Sequence, residues 1–307
     1  MDLSVIIPAR NEIFLARTVQ DVLDNARANT EVTAVLDGYW PNPPLVDRPG
    51  LNIIHFSKPI GQRAATNAGV RLSNAKYIMK LDAHCALGEG FDVKLMQDCQ
   101  YDWTMIPQQY NLHAFDWKCK SCGDITYQGA VPDKCIKCNG TEFEMVVVWK
   151  PRLNRLTVSW RFDKNLQFQY WRKHAKRREA QGDLIETMSF IGACMLLERE
   201  RYWELGGLDE NHGSWGQFGT EVACKTWLSG GMLITSKKTW YAHLFRTGNF
   251  SRNGRSSFPY PLKQQEIDRA RAYSRDLWLN DKWPGAKHKL SWLIDRFAPI
   301  PDWHEGS

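Results

Sequence analysis

Four short aliphatic runs open the chain, and each stops on polar residues. Leu3 to Pro8, Glu31 to Leu36, Leu51 to Phe56 and Tyr77 to Leu81 are mostly continuous rather than alternating, as strands buried on both faces are. The last run carries one lysine among its apolar residues. After the first run the period changes. Phe14, Leu15, Val19, Val22 and Leu23 share one face of a helix predicted from about Glu12 to Ala28, with Asn11 as its cap. A second helix, with small residues along one side, is predicted over Gly61 to Leu72. Pro-rich Tyr39 to Gly50 reads as a loop. Strands alternating with helices predict an α/β fold, a mostly parallel sheet covered by helices on both faces.

In such sheets ligands bind beyond the carboxyl ends of the strands. Three strand ends are polar: Pro8-Ala9-Arg10-Asn11-Glu12, Asp37-Gly38 and Asp82-Ala83-His84. If the fourth strand continues through its end, Asp82 and His84 point the same way. One carboxylate and one imidazole suit a borderline divalent ion such as Mn²⁺, with positions left for phosphate oxygens. The ion would then neutralise a diphosphate leaving group. The competing reading is a strand-end aspartate satisfying loop amides beside an unrelated histidine.

Composition narrows the setting. The 307 residues are 43% hydrophobic and 24% charged, enough for one large α/β core or two smaller ones. A net charge of +6 favours an anionic partner such as a nucleotide, nucleic acid or phosphate-rich surface. Fourteen tryptophans are read mainly as core fillers, and some as stacking platforms. No apolar run approaches a membrane span, and the first residues already form a strand rather than a signal peptide, so the expected location is cytoplasmic.

Longer stretches carry a family resemblance from Leu3 to roughly Ser274. "VIIPARNE" resembles the opening strand of family 2 nucleotide-sugar glycosyltransferases of the GT-A fold, and "GQRAATNAGVRLSNAKYIMKLDAH" their helix and metal strand. Asp-x-His in place of the family's usual Asp-x-Asp is similar to the polypeptide N-acetylgalactosaminyltransferases. So are Glu186 to Gly231, with Gly-Gly-Leu-Asp-Glu and then Trp-Gly, and "WYAHLFR". The resemblance implies a GT-A fold, a UDP-sugar donor, Mn²⁺ (or Mg²⁺), and His243 as third ligand beside Asp82 and His84. It also implies that Pro8, Ala9, Arg10 and Glu12 line a uridine pocket and that Asp37 contacts the base or ribose. Arg63 and Asn67 would lie near the nucleotide and Asp82.

One position departs from these relatives: Phe218 stands where they have an acidic residue. The next acidic position, Glu221, is the expected catalytic base, its alternative role being to orient Trp215 or Arg246. Family 2 relatives invert and the N-acetylgalactosaminyltransferases retain, so the mixed signatures leave the stereochemistry open.

Cys119, Cys122, Cys135 and Cys138 form two C-x-x-C pairs twelve residues apart, a spacing that resembles a zinc ribbon. Four thiolates close the Zn²⁺ shell, so the metal would be structural. The ribbon could grip an acceptor or partner, or staple a long loop. Cys85, Cys99, Cys194 and Cys224 read as small core residues. After several aromatics, Arg172, Lys173, Lys176, Arg177 and Arg178 read either as phosphate contacts or as a solvated helix face.

Together these features predict a GT-A catalytic domain over residues 1–245, with a ribbon insert at about 116–146, and a loop and helical extension over 246–307. The expected activity is transfer from a UDP-sugar to an acceptor hydroxyl. A hydroxymethylated base in DNA, as in viral DNA modification, is the leading acceptor, and a protein or glycan the alternative. A non-catalytic nucleic-acid-binding module of the same fold is the competing class.

Overall fold

A computed structural model describes residues 1–213, 216–246, 260 and 263–303. Strands β1 (Leu3–Ala9), β2 (Thr30–Asp37), β3 (Leu51–Phe56) and β4 (Tyr77–Leu81) form the expected parallel half of the sheet, with helix α1 (Leu15–Asn25) following β1 and α2 (Gln62–Leu72) following β3. Then come β5 (Cys85–Leu87), α3 (Phe91–Asp98), and the long strands β6 (Trp103–Cys119) and β8 (Phe143–Thr157) flanking short β7 (Ile125–Tyr127). A separate hairpin, β9 (Trp160–Phe162) and β10 (Phe168–Tyr170), leads to β11 (Leu184–Glu186), β12 (Cys194–Glu198), α4 (Arg199–Glu204), α5 (Phe218–Leu228) and β13 (Met232–His243). The chain ends in α6 (Gln264–Leu279) and α7 (Leu290–Phe297).

The main sheet runs β11-β13-β6-β12-β4-β1-β2-β3. β12 is antiparallel to both β4 and β6, and β13 is parallel to β6. The parallel pattern of the first third thus becomes a mixed sheet. β13 ends on His243, which pairs with Cys85 just past the end of β4, so two distant strand ends meet.

α1 is shorter than its apolar face implied, and Asn11 does not cap it. Asn11 has φ of 51°, and the Glu12 carboxylate accepts the Phe14 amide at 3.1 Å before the helix begins at Leu15. Its far end stops because the amides of Arg27 and Ala28 turn to the buried Asp92 carboxylate, at 2.9 and 2.8 Å. α2 lies close on β1. A Cβ on Gly69 would come within 2.5 Å of Ile6, so glycine sets that approach.

A large core fills the space between the layers, and a second, smaller cluster is built on Phe14, Leu112, Phe115, Trp149 and Leu244. Trp160, Trp227 and Trp278 are wholly buried in the large core, as core-filling tryptophans should be. Trp278, Leu293 and Phe297 bring α6 and α7 into the same core. Most of the loop expected before α6 lies outside the described residues. No described helix is long and apolar enough to cross a membrane.

Candidate active site

The fourth strand does not continue through Asp82. β4 stops at Leu81, and Asp82 to His84 form a turn. What brings the two side chains together is that turn and the end of β13. His243 Nε2 lies 3.2 Å from Asp82 Oδ2 and 3.1 Å from His84 Nε2, and the three donor atoms lie within 4.8 Å of one another. His84 Nδ1 is 3.0 Å from Glu12 Oε2, and Glu12 in turn accepts Arg246 Nη2 at 2.6 Å. With Nδ1–H donating to Glu12, the Nε2 lone pair of His84 faces the other two donors, as a carboxylate-backed metal histidine requires. Burial alone would raise the Asp82 pKa, but the Lys80 ammonium and both imidazoles outweigh it and hold the carboxyl well below its usual range. Burial pushes His243 down to about 4, against the pull of Asp82, so its ring is neutral at pH 7. A carboxylate oxygen and two imidazole nitrogens converging on one point fit a divalent ion of the Mn²⁺ kind.

An open cavity of about 380 Å³ lies over this point. Pro8, Ala9, Arg10, Glu12 and Asp37 all line it. Asp37 is buried and already engaged. It accepts Arg10 Nη2 at 3.0 Å and the amides of Ile60 and Gly61 at 2.5 and 3.2 Å. Arg10 also stacks on Tyr260, 5.1 Å from its ring centre. Glu12 thus touches the Asp82–His84–His243 cluster through His84 as well as lining the pocket wall.

Three expected residues are placed elsewhere. Arg63 is 1% exposed and does not line the cavity, donating to Glu221 at 2.7 Å and to the carbonyls of Gly213 and Gly216. Asn67 is buried against Leu208 and Glu210. The α2 residue in the cavity is Gln62, whose Nε2 donates to Asp82 Oδ1 at 3.1 Å. Glu221 is wholly buried, and its oxygens accept Arg63, Lys225 at 2.9 Å and the Asp209 amide at 2.6 Å. Burial would raise its pKa, yet Arg63, Lys225 and His212 bring it down to about 2. Glu221 does not line the cavity, and its contacts are those of a structural anchor. Of the residues it was to orient, Trp215 lies outside the described residues and Arg246 binds Glu12 instead.

Sequence reasoning did not assign Gln62, Lys80 or the wall built by Phe190, Gly192 and Phe218. Two carried a signal: Lys80 as a charge inside a buried strand, and Phe218 as an aromatic where the resembling transferases have an acidic residue. The others become visible once β12 and the start of α5 are seen beside Asp82.

At the far end of β6 the four ribbon cysteines gather. Cys119 and Cys138 Sγ lie 3.6 Å apart, as do those of Cys122 and Cys135. The amides of Lys137 and Gly140 point at Cys135 and Cys138 sulfur, each at 3.4 Å. That is how a knuckle supports thiolates, and the donor set fits tetrahedral Zn²⁺. No ribbon residue lines the cavity. The basic segment is not a continuous helix but two short 3₁₀ turns. Arg172, Lys173, Lys176 and Arg178 are exposed. Arg177 instead donates to the carbonyls of Phe297 and Pro299 and covers Trp171, which is buried.

Comparison with known proteins agrees with this geometry. Residues 4–104 match the family described as "Glycosyl transferase family 2". The putative polypeptide N-acetylgalactosaminyltransferase 13 of Drosophila melanogaster is 22% identical over 298 residues, 91% of this chain and 46% of that protein. A probable N-acetylgalactosaminyltransferase 9 of Caenorhabditis elegans is 30% identical over 193 residues, 62% of this chain and 28% of its own. This chain thus spans less than half the length of these relatives. Among solved structures, GalNAc-T7 with UDP, GalNAc and Mn²⁺ superposes with a TM-score of 0.62 at 16% identity, over 91% of this chain and 49% of that one. The TarS fragment of S. aureus with UDP-GlcNAc gives 0.51 at 11% identity, over 95% and 69%. The fold is GT-A.

Proposed function

We infer that this GT-A chain, matched to glycosyltransferase family 2 at its amino-terminal third, is a metal-dependent glycosyltransferase using a UDP-sugar. The observation that carries the reading is the convergence of Asp82, His84 and His243 at the floor of a cavity walled by Pro8, Ala9, Arg10 and Asp37. Those three residues would hold Mn²⁺, which when bound supplies Lewis-acid neutralisation of the diphosphate leaving group. Arg10, fixed by Asp37 and Tyr260, holds the nucleotide end of the cavity. Phe190, Gly192 and Phe218 present the wall beside Asp82 against which the sugar lies. A non-catalytic module would have no need of three ligands with His84 oriented by Glu12.

Among the described residues, every carboxylate of the cavity is engaged: Glu12 by His84 and Arg246, Asp37 by Arg10, Asp82 by Lys80 and Gln62. We therefore propose a retaining route, in which an oxygen of the departing diphosphate takes the acceptor's proton on the same face of the sugar. NMR of the product anomer tests this, and an inverted product would refute it.

The acceptor we favour is a hydroxyl on a polypeptide or glycan. The Drosophila relative is named a putative polypeptide N-acetylgalactosaminyltransferase. The features that suggested DNA are weakened, because Arg177 and Trp171 are committed to packing α7 and the ribbon lies off the cavity. Incubation with a panel of UDP-sugars and with peptide, glycan and hydroxymethylated DNA acceptors, read by mass spectrometry, decides. Sugar mass on DNA alone would overturn the acceptor reading.

A further inference from the structure

Asp82, His84 and His243 have a fourth neighbour that metal binding does not require. Lys80 is wholly buried in β4, a rare place for a lysine. Its ammonium bonds Asp82 Oδ1 and donates to the Gly192 carbonyl at 2.8 Å, and it lies 4.5 Å from the centre of the Phe218 ring. Asp82 is its only carboxylate partner among the described residues. One oxygen of Asp82 is thus occupied by a fixed cation and by Gln62, while the other faces His243 and the metal donors.

Phe218 stands where the resembling transferases have an acidic residue. A carboxylate there would share the Lys80 charge, whereas an aromatic face attracts the ammonium without neutralising it. We propose that Lys80 makes metal capture conditional on the donor's diphosphate, an inference that rests on the glycosyltransferase reading. With no donor bound, a divalent ion on Asp82 Oδ2 would share a single carboxylate with an ammonium roughly 5 Å away that is itself wholly buried from water. The repulsion weakens metal binding. A diphosphate brings negative charge against both cations and relieves it. By linkage, the metal then tightens the diphosphate by the same factor. Lys80 is a positioning residue, acting through Asp82.

The test is Mn²⁺ binding, read by electron paramagnetic resonance of the free ion, with and without UDP, in the wild type, Lys80→Met and Lys80→Arg. Met keeps the length and the packing beneath Phe218, and Arg keeps the charge. Without UDP, Lys80→Met should bind Mn²⁺ at least about tenfold more tightly than the wild type, and UDP should tighten it correspondingly less. Lys80→Arg should stay near the wild type. A purely structural lysine predicts the reverse, so unchanged or weaker binding in folded Lys80→Met overturns the proposal. So does a wild type that binds Mn²⁺ equally well with and without UDP, an outcome that needs no variant to fold. If UDP does not bind even at saturating Mn²⁺, the glycosyltransferase reading fails and this inference falls with it.

Discussion

Individual side chains divide sharply between chemistry and support. Asp82→Ala should abolish transfer and metal-stimulated donor binding while the fold persists, which calorimetry with UDP and Mn²⁺ would show. Glu12→Gln should weaken Mn²⁺ binding by about 10- to 100-fold, because it removes the carboxylate that sets the His84 tautomer. Glu221 belongs to the second group. Its pKa of about 2, against 4.5 for a free glutamate, means the native state binds its proton less readily than the unfolded chain. Its contribution is therefore present above pH 4.5, on the order of 3 kcal/mol, and is lost as pH falls towards 2. His212, pushed by burial to about 4 and kept neutral, adds a loss of the same sign between pH 6.5 and 4. Urea midpoints against pH should fall across both windows. Glu221→Gln should be less stable at pH 7 and should flatten the lower one.

At the scale of elements, the first four strands and α2 were legible because buried parallel strands read as unbroken apolar runs. α1 was overextended at both ends, since its limits are set by Glu12 and by Asp92, 67 residues beyond its last residue. That second contact has no local signature. The fourth run was read to Leu81, where β4 does end, but the pattern could not show that Asp82 to His84 then turn rather than carry the strand on. The burial of Glu221 was hidden for a related reason. A motif position identifies a carboxylate but not the Arg63 and Lys225 that enclose it. The ribbon is the opposite case, since four cysteines at C-x-x-C spacing state their own geometry. Replacing Cys119 and Cys122 with Ser should release one zinc per chain and destabilise the β6–β8 hairpin, because structural zinc binding is folding energy. Metal analysis of the purified protein and proteolysis of the hairpin would check both.

Across the whole molecule, the amino-terminal pattern predicted only half of the sheet. The other half depends on β12 and β13, which insert antiparallel and parallel beside strands far away in sequence, and it is β13 that delivers His243. Three polar strand ends converging on one edge were foreseeable from topology. His243 as a candidate third ligand was accessible only through resemblance, and the wall built by Phe190 and Gly192 not at all. The architecture makes one claim above the others: a metal held by Asp82, His84 and His243 activates a UDP-sugar. Release of UDP from a panel of UDP-sugars, followed with Mn²⁺, with chelator, and in Asp82→Ala, measures it directly. The account predicts release with at least one donor that stops on chelation and in the variant. Release indifferent to both, or no release from any donor, would contradict it.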